Sequence, residues 1–168
     1  YLDEVVEARK DTTVVIHPLT DTRRVLPVEK RGELVRAPDD FLLVVSYNPG
    51  YQNLLKGMKP STRQRFVALS LGFPPPELEI AILMRETAID AALAKRLVVL
   101  ACALRTLKDH DLDEGASTRL LVYAATLIRS GMSLLDACHA ALVEPLTDDA
   151  ETIAALREVI QASLGGQG

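Results

Sequence analysis

The spacing of hydrophobic residues changes near residue 73, and this change divides the chain into two segments. Before it, apolar residues come in short runs that are typical of β-strands. Beyond it they recur every three or four residues, which is typical of amphipathic helices. The change coincides with three consecutive prolines, residues 74–76. We therefore predict an α/β segment over 1–73 and an all-α segment over 74–168.

Strands and turns dominate the first segment. Residues 23–37 have β-branched runs on both sides of a Lys-Arg-Gly turn, which predicts a β-hairpin. The continuous apolar run over 41–47 predicts a strand that is buried on both faces of a parallel sheet. The other expected elements are the end of a strand at 1–2, a short apolar segment constrained by Pro18 over 12–19, a weak helix over 53–59 and a strand over 65–73.

Five helices with short links are predicted in the second segment from their start and stop signals. Proline favours the first helical position, serine and aspartate cap N-termini, and glycine ends helices. A serine or aspartate with an acidic residue three positions later predicts a capping box. In chain order the signals are Pro76, Asp90, Ser117, Gly131, Ser133 with Asp136, Asp148 with Glu151, and Gly165.

Composition excludes several classes of protein. Of the 168 residues, 48% are apolar and 25% charged, and the mean hydropathy is +0.14, which argues against a disordered chain. No stretch reaches the ~20 apolar residues that a membrane-spanning helix needs. The first 70 residues carry 11 basic and 9 acidic side chains and the others 8 and 14, so neither segment has the basic stripe of a nucleic-acid-binding protein.

The cysteines and histidines give no sign of a metal site. Cys102 and Cys138 both fall in apolar helical pattern, which predicts buried free thiols in a reducing compartment. His17, His110 and His139 have no metal-ligand spacing with the cysteines or with each other.

Polar residues follow two of the predicted strands. The acidic pair Asp3-Glu4 follows the first, where open α/β sheets bind ligands. For a nucleotide, the first carboxylate suits the water shell of Mg²⁺ and the second suits activation of an attacking water. Asn48 ends the run over 41–47, and its amide can orient a water without adding charge. Taken singly, these residues are better explained as a solvated acidic pair and a simple Asn-Pro-Gly turn.

Three arginines are further candidates. Arg63 and Arg65 precede the last predicted strand, and an arginine near a transferring phosphate can accelerate the reaction strongly. Arg119 lies in the first turn of a helix, where a cation is mildly unfavourable. Ordinary surface arginines are the alternative, and the absence of a G-x-x-x-x-G-K-[ST] phosphate loop argues against a nucleotide site.

The order of these features resembles the second half of an AAA+ ATPase. Three strings, YLDEVVEARKDTTVVIHPLTD (1–21), SYNPGYQNLLKGMKPSTRQRF (46–66) and LDEGASTRLLVYAATLI (112–128), are similar to the CbbQ/NirQ/NorQ family within the MoxR branch. The resemblance covers essentially the whole chain. It implies the second half of the α/β nucleotide-binding core over 1–73 and a helical lid over 74–168, with the phosphate loop expected upstream of Tyr1 in a longer protein.

The resemblance implies ATP and Mg²⁺ as cofactors and a role for each acidic or amide candidate. Asp3 and Glu4 match the Walker B pair, with Asp3 on the magnesium water shell and Glu4 as the base for the hydrolytic water. Asn48 matches sensor 1.

Roles for the arginines also follow from the resemblance. Arg65 matches the arginine finger offered to a neighbouring subunit, with Arg63 as second choice, and Arg119 matches sensor 2 in the lid. The segment 23–37 matches a hairpin insertion that faces the pore or a partner, and Arg23 is expected to approach the nucleotide.

Family resemblance further implies a cytoplasmic homo-oligomeric motor, expected to be a hexameric ring, that works with a von Willebrand A-domain adaptor. The expected target is Rubisco, from which the motor releases inhibitory sugar phosphates. Maturation of nitric oxide reductase is the alternative target, and carboxysome association stays open. A hypothesis of a different class is a non-hydrolysing helical scaffold formed by 74–168.

Overall fold

The chain divides after Ser70 into two units, Tyr1–Ser70 and Leu71–Gly168, three residues before the expected boundary. The computed structural model describes residues 1–5, 14–48, 59–106 and 115–165. His110 and all but the last residue of the helix predicted over 53–59 lie outside these ranges. Each unit is considered by itself.

An antiparallel hairpin in the first unit confirms the prediction for 23–37. Strand β1 (Val25–Val28) pairs with β2 (Glu33–Arg36), and Val25 lies opposite Arg36. The connecting turn needs a residue with positive φ, and Gly32 supplies it with φ 63°. The other regular elements among the described residues of the unit are short: 3-10 turns at His17–Leu19 and Glu29–Arg31 and helix α1 at Pro60–Arg63.

Two segments that are distant in the sequence meet in a parallel bridge between Leu2 and Val45. The amide of Leu2 donates to the carbonyl of Val44 at 2.9 Å, and the amide of Ser46 donates to the carbonyl of Leu2 at 3.0 Å. The parallel direction of this pairing agrees with the prediction, but the strand predicted over 41–47 is reduced to the single bridge, and its burial on both faces was wrong. Leu42 is 78% exposed and Val44 46%, because no layer among the described residues packs on them.

The strand predicted over 65–73 is absent. Residues 67–73 belong to no strand, and Val67, Leu69 and Leu71 are each about nine-tenths exposed. A strand is stable only when its backbone groups pair with a neighbouring strand. Among the described residues this segment has no such neighbour, so its apolar pattern alone does not produce one.

The described residues of the second unit form helices and no strand, as predicted, and five of these helices are α-helical. They are α2 (Pro76–Thr87), α3 (Ala91–Thr106), α4 (Thr118–Arg129), α5 (Leu134–Cys138) and α6 (Ala150–Gly165). A π-helical turn at His139–Val143 continues α5. Within the described ranges, each helix is too short or too polar to cross a membrane.

Most of the predicted helix signals work as expected. Pro76 begins α2, and Gly131 follows α4 with φ 101°. The predicted caps accept backbone N–H groups: Asp90 from Leu93 at 2.8 Å, Ser117 from Leu120 at 3.4 Å and Ser133 from Asp136 at 3.1 Å.

The cap of α6 was assigned to the wrong aspartate. Asp149, which directly precedes the helix, accepts the amide of Thr152 at 2.8 Å, so Asp148 and Glu151 do not form the expected capping box. The acidic residue three positions later favoured Asp148, but the first helical residue is Ala150, so Asp149 occupies the cap position.

A single apolar core holds the five helices together. Its largest fully buried side chains are Leu83, Leu97, Leu100, Leu104, Leu121, Leu142, Leu156 and Ile160. Cys138 belongs to this core, and burial raises the pKa of its thiol to about 11. Cys102 is exposed, contrary to the prediction, because the helical period of α3 turns it away from the face that carries Leu97, Leu100 and Leu104.

Candidate active site

Asp3 lies beside the second of the two parallel segments. Its Oδ1 accepts a hydrogen bond from the Ser46 hydroxyl and another from the Tyr1 hydroxyl at 2.9 Å. These hydrogen bonds, that of Ser46 first, hold the pKa of Asp3 below its usual value. An exposed carboxylate that is ionised at neutral pH fits the water shell of a magnesium ion.

Glu4 has a left-handed backbone with φ 48°, which is unusual for a residue other than glycine. Such a conformation costs about 1–2 kcal/mol. The Glu4 amide donates to the Ser46 hydroxyl at 3.4 Å, so Ser46 contacts both members of the acidic pair. The side chain of Glu4 is exposed, and strained backbone of this kind often occurs at functional sites.

Asn48 is exposed two residues beyond Ser46. The parallel bridge places the ends of both segments at one edge. Asn48 comes just after the second segment, the one whose Ser46 binds Asp3. None of the hydrogen bonds among the described residues includes its side chain.

Two of the candidate arginines share one carboxylate. Asp21 Oδ2 lies 2.7 Å from Arg23 Nη2 and 3.3 Å from Arg65 Nη1, although Arg65 is 44 residues away in the sequence. The hydrogen bonds from Arg23, with the charges of both arginines, hold the pKa of Asp21 well below its usual range. Asp21 is therefore an anion at neutral pH that holds Arg65 in place.

A second contact joins this region to helix α1, and it comes from His17, four residues before Asp21. His17 Nε2 lies 2.8 Å from Thr62 Oγ1, and Thr62 is only 3% exposed. Arg63, the last residue of α1, is exposed and makes no ion pair with the described residues. Of the two arginines, Arg65 is thus the one with a defined anionic partner.

Arg119 lies in the second unit, at the second residue of α4. Ser117 caps this helix, and the Thr118 hydroxyl donates to Glu79 Oε1 at 2.6 Å. The helix start is thereby fixed, while the Arg119 side chain itself is exposed and contacts no charged group among the described residues.

Sequence reasoning missed the residues that hold these candidates. The positions of Ser46 and Asp21 in the sequence could have indicated them, because each lies two residues before a candidate: Ser46 before Asn48, and Asp21 before Arg23. Glu79 falls four residues before Leu83 and eight before Thr87, so a carboxylate sits on the buried stripe of α2. Across the described ranges, no group of three or more possible metal ligands lies together.

Comparison with known proteins identifies both units. A model described as CbbQ/NirQ/NorQ C-terminal matches residues 79–163, and one described as an AAA domain of the dynein-related subfamily matches residues 1–66. The chain belongs to the CbbQ/NirQ/NorQ family. The expected fold class, part of an AAA+ core followed by a helical region, is confirmed.

Curated members of the family are close in sequence. The denitrification regulatory protein NirQ of Stutzerimonas stutzeri is 60% identical over 98% of this chain and 60% of its own length. NorQ of Paracoccus denitrificans is 58% identical over 98% of this chain and 61% of its own, and CbbQ of Hydrogenophilus thermoluteolus 58% over 96% and 60%. This chain therefore spans about three-fifths of the length of these relatives.

Proposed function

We propose that this chain is part of an AAA+ motor that hydrolyses ATP, with its catalytic carboxylates at Asp3 and Glu4. The observation that carries the proposal is the ionised Asp3 next to the left-handed Glu4, both held by Ser46 at the edge where two parallel segments end. Membership of an AAA family supports it.

The two residues of the acidic pair have different roles in this proposal. Asp3 would hold Mg²⁺ through water, and the ion, when bound, neutralises charge on the phosphates. Glu4 accepts a proton from the attacking water, and the strained backbone sets the direction of its side chain. The amide of Asn48 orients that water without adding negative charge to a site that already has two carboxylates.

In this proposal the arginines act on the phosphates. Arg65, with Arg63 as second choice, serves the nucleotide of a neighbouring subunit in a homo-oligomeric ring, for which a hexamer is expected. The pairing with Asp21 supports Arg65, because the carboxylate orients the guanidinium through Nη1 and leaves its other N–H groups for a phosphate. Arg119 reads the γ-phosphate from the helical unit, and Arg23 approaches the nucleotide.

The proposed target is an enzyme that the motor remodels together with a von Willebrand A-domain adaptor. Exposed Leu34 and Val35 on the hairpin support a role for this hairpin in contacting a partner. Rubisco is the first target to test and nitric oxide reductase the second. The relatives named NirQ, NorQ and CbbQ are 58–60% identical to this chain, so overall identity favours neither.

The decisive experiment measures ATP hydrolysis by the full-length protein against its own concentration. We expect the specific rate to rise as the ring assembles and to fall about a hundredfold or more in Glu4→Gln and Arg65→Ala, since each removes a group that acts in the transition state. Glu158→Gln and Arg85→Ala make the same changes at exposed positions in the helical unit and serve as matched controls.

Each result has a defined meaning. A rate that does not depend on concentration and survives Arg65→Ala removes the finger assignment. Absence of hydrolysis at every concentration, with and without adaptor, contradicts the motor and favours the helical scaffold. Adding adaptor with inhibited Rubisco, or with immature nitric oxide reductase, then shows which target is activated by ATP.

A further inference from the structure

We infer that Glu79, Arg105 and Thr118 form a positioning network for Arg119, and that this network sets how strongly the protein prefers ATP to ADP. The inference rests on the proposed role of Arg119 as the residue that reads the γ-phosphate. None of the three network residues is proposed to touch the nucleotide. They act by fixing the backbone from which Arg119 projects.

A fully buried carboxylate is the centre of the network. Glu79 on α2 is 0% exposed, and Arg105 on α3 binds it through two hydrogen bonds, Nη1 to Oε2 at 2.9 Å and Nη2 to Oε1 at 2.7 Å. The Thr118 hydroxyl donates a third, to Oε1 at 2.6 Å. A buried charge of this kind is costly unless it is fully paired. The Arg105 guanidinium and the Thr118 hydroxyl must therefore stay within hydrogen-bond distance of the carboxylate.

Arg105 ties the same carboxylate to the chain just before α4. Its Nε donates to the carbonyl of Ala116 at 2.8 Å. A Cβ at Gly115 would lie 3.1 Å from the Arg105 Cγ, so a larger residue there would push the Arg105 side chain by a few tenths of an ångström. The guanidinium also lies 3.9 Å from the ring centre of Phe73, which adds a cation–π contact.

These contacts end at the residue before Arg119. The carbonyl of Ala116 is held by Arg105, the side chain of Ser117 caps the helix, and the side chain of Thr118 is held by Glu79. Arg119 comes next and is exposed. Two of these residues are thus tied to α2 and α3 and the third caps the helix, while the Arg119 side chain is exposed for a ligand. Errors of about 1 Å in such a group cost as much as a hundredfold in rate.

Thr118→Val in the full-length protein is the sharpest test, because it keeps the shape of the side chain and removes only the hydroxyl. Thr118→Ser keeps the hydroxyl. Thr126→Val makes the same change on the same helix, where the exposed Thr126 donates only to the carbonyl of Val122, and it serves as the matched control. The measurement is the dissociation constant of a non-hydrolysable ATP analogue and of ADP for each variant.

We expect Thr118→Val to reduce the preference for the ATP analogue over ADP by about three- to tenfold, which is less than the full effect of one hydrogen bond to a charged group, because the hydroxyl acts only by placing Arg119. Thr118→Ser and Thr126→Val should keep the preference. Arg119→Ala should abolish it, and adding Thr118→Val to Arg119→Ala should have no further effect, because the hydroxyl acts through Arg119.

Three outcomes overturn the inference. If Thr118→Val keeps the preference while Arg119→Ala abolishes it, the network does not position Arg119 and the proposed function stands. If Thr118→Val lowers the melting temperature and both affinities in proportion, leaving their ratio unchanged, its role is only structural. If Arg119→Ala itself keeps the preference, the assignment of Arg119 fails and the inference fails with it.

Discussion

At the scale of single residues, ion pairs distinguish arginines that the sequence presents as equivalent. Arg63 and Arg65 are two positions apart, and only Arg65 reaches Asp21. The sequence presented both arginines as candidates but did not indicate a partner for either, because Asp21 lies 44 residues from Arg65. The contact between Asp21 and Arg65 therefore becomes apparent only in the folded structure.

Asp21→Asn tests this pairing. The change keeps the shape of the side chain and removes its charge, so Arg65 loses the anion that holds it. In the full-length protein we expect the rate of ATP hydrolysis to fall about tenfold, because Arg65 is no longer held where a neighbouring site needs it. The affinity for ATP should stay unchanged. Asp40→Asn, at an exposed position of the same unit, is the control. Hydrolysis at the rate of the unmodified protein would contradict a positioning role for Asp21.

At the scale of elements, local signals predicted helices far better than strands. The start of α2 and the caps of α3, α4 and α5 agree with the sequence because a cap involves residues only three positions apart. The hairpin agrees for the same reason, since its turn and its register are local. The apolar segment over 65–73 forms no strand, since strand pairing depends on residues elsewhere in the chain.

The cap of α6 gives a matched pair of substitutions. Asp149→Ala should lower the melting temperature of the chain by roughly 2–4 °C, because the amide of Thr152 loses its acceptor. Asp148→Ala removes the same side chain one residue earlier and should have little effect. Thermal unfolding followed by circular dichroism measures both. Equal shifts in the two variants would show that Asp149 is not the cap.

At the scale of the whole molecule, the helical unit contains a buried acid whose ionisation contributes to stability. Burial by itself raises the pKa of Glu79, but the hydrogen bonds from Arg105 and Thr118, with the charge of Arg105, outweigh it and lower the pKa below the usual 4.5. A lowered pKa in the folded state means that the stabilisation is complete above about pH 4.5 and is lost as the pH falls through the lower value.

We therefore expect the free energy of unfolding to decrease as the pH falls below about 4.5, and Glu79→Gln to reduce this decrease because glutamine does not titrate. At pH 7 the same variant should be less stable by about 3–5 kcal/mol, since the Arg105 guanidinium, 11% exposed, loses its counter-charge. Denaturant titrations at several pH values measure both effects. An equally steep pH dependence in Glu79→Gln would show that other carboxylates are responsible.

The sequence by itself determined the hairpin, the helical character of the second segment, most of the helix starts and caps, and the family. These depend on periodicity, on contacts within a few residues and on strings long enough to be characteristic. Only the tertiary structure decided that Glu79 meets Arg105 and Thr118, 26 and 39 residues away, and that Asp21 meets Arg65. Such pairs form when packed elements bring distant side chains within about 3 Å, and no local pattern records which elements will pack together.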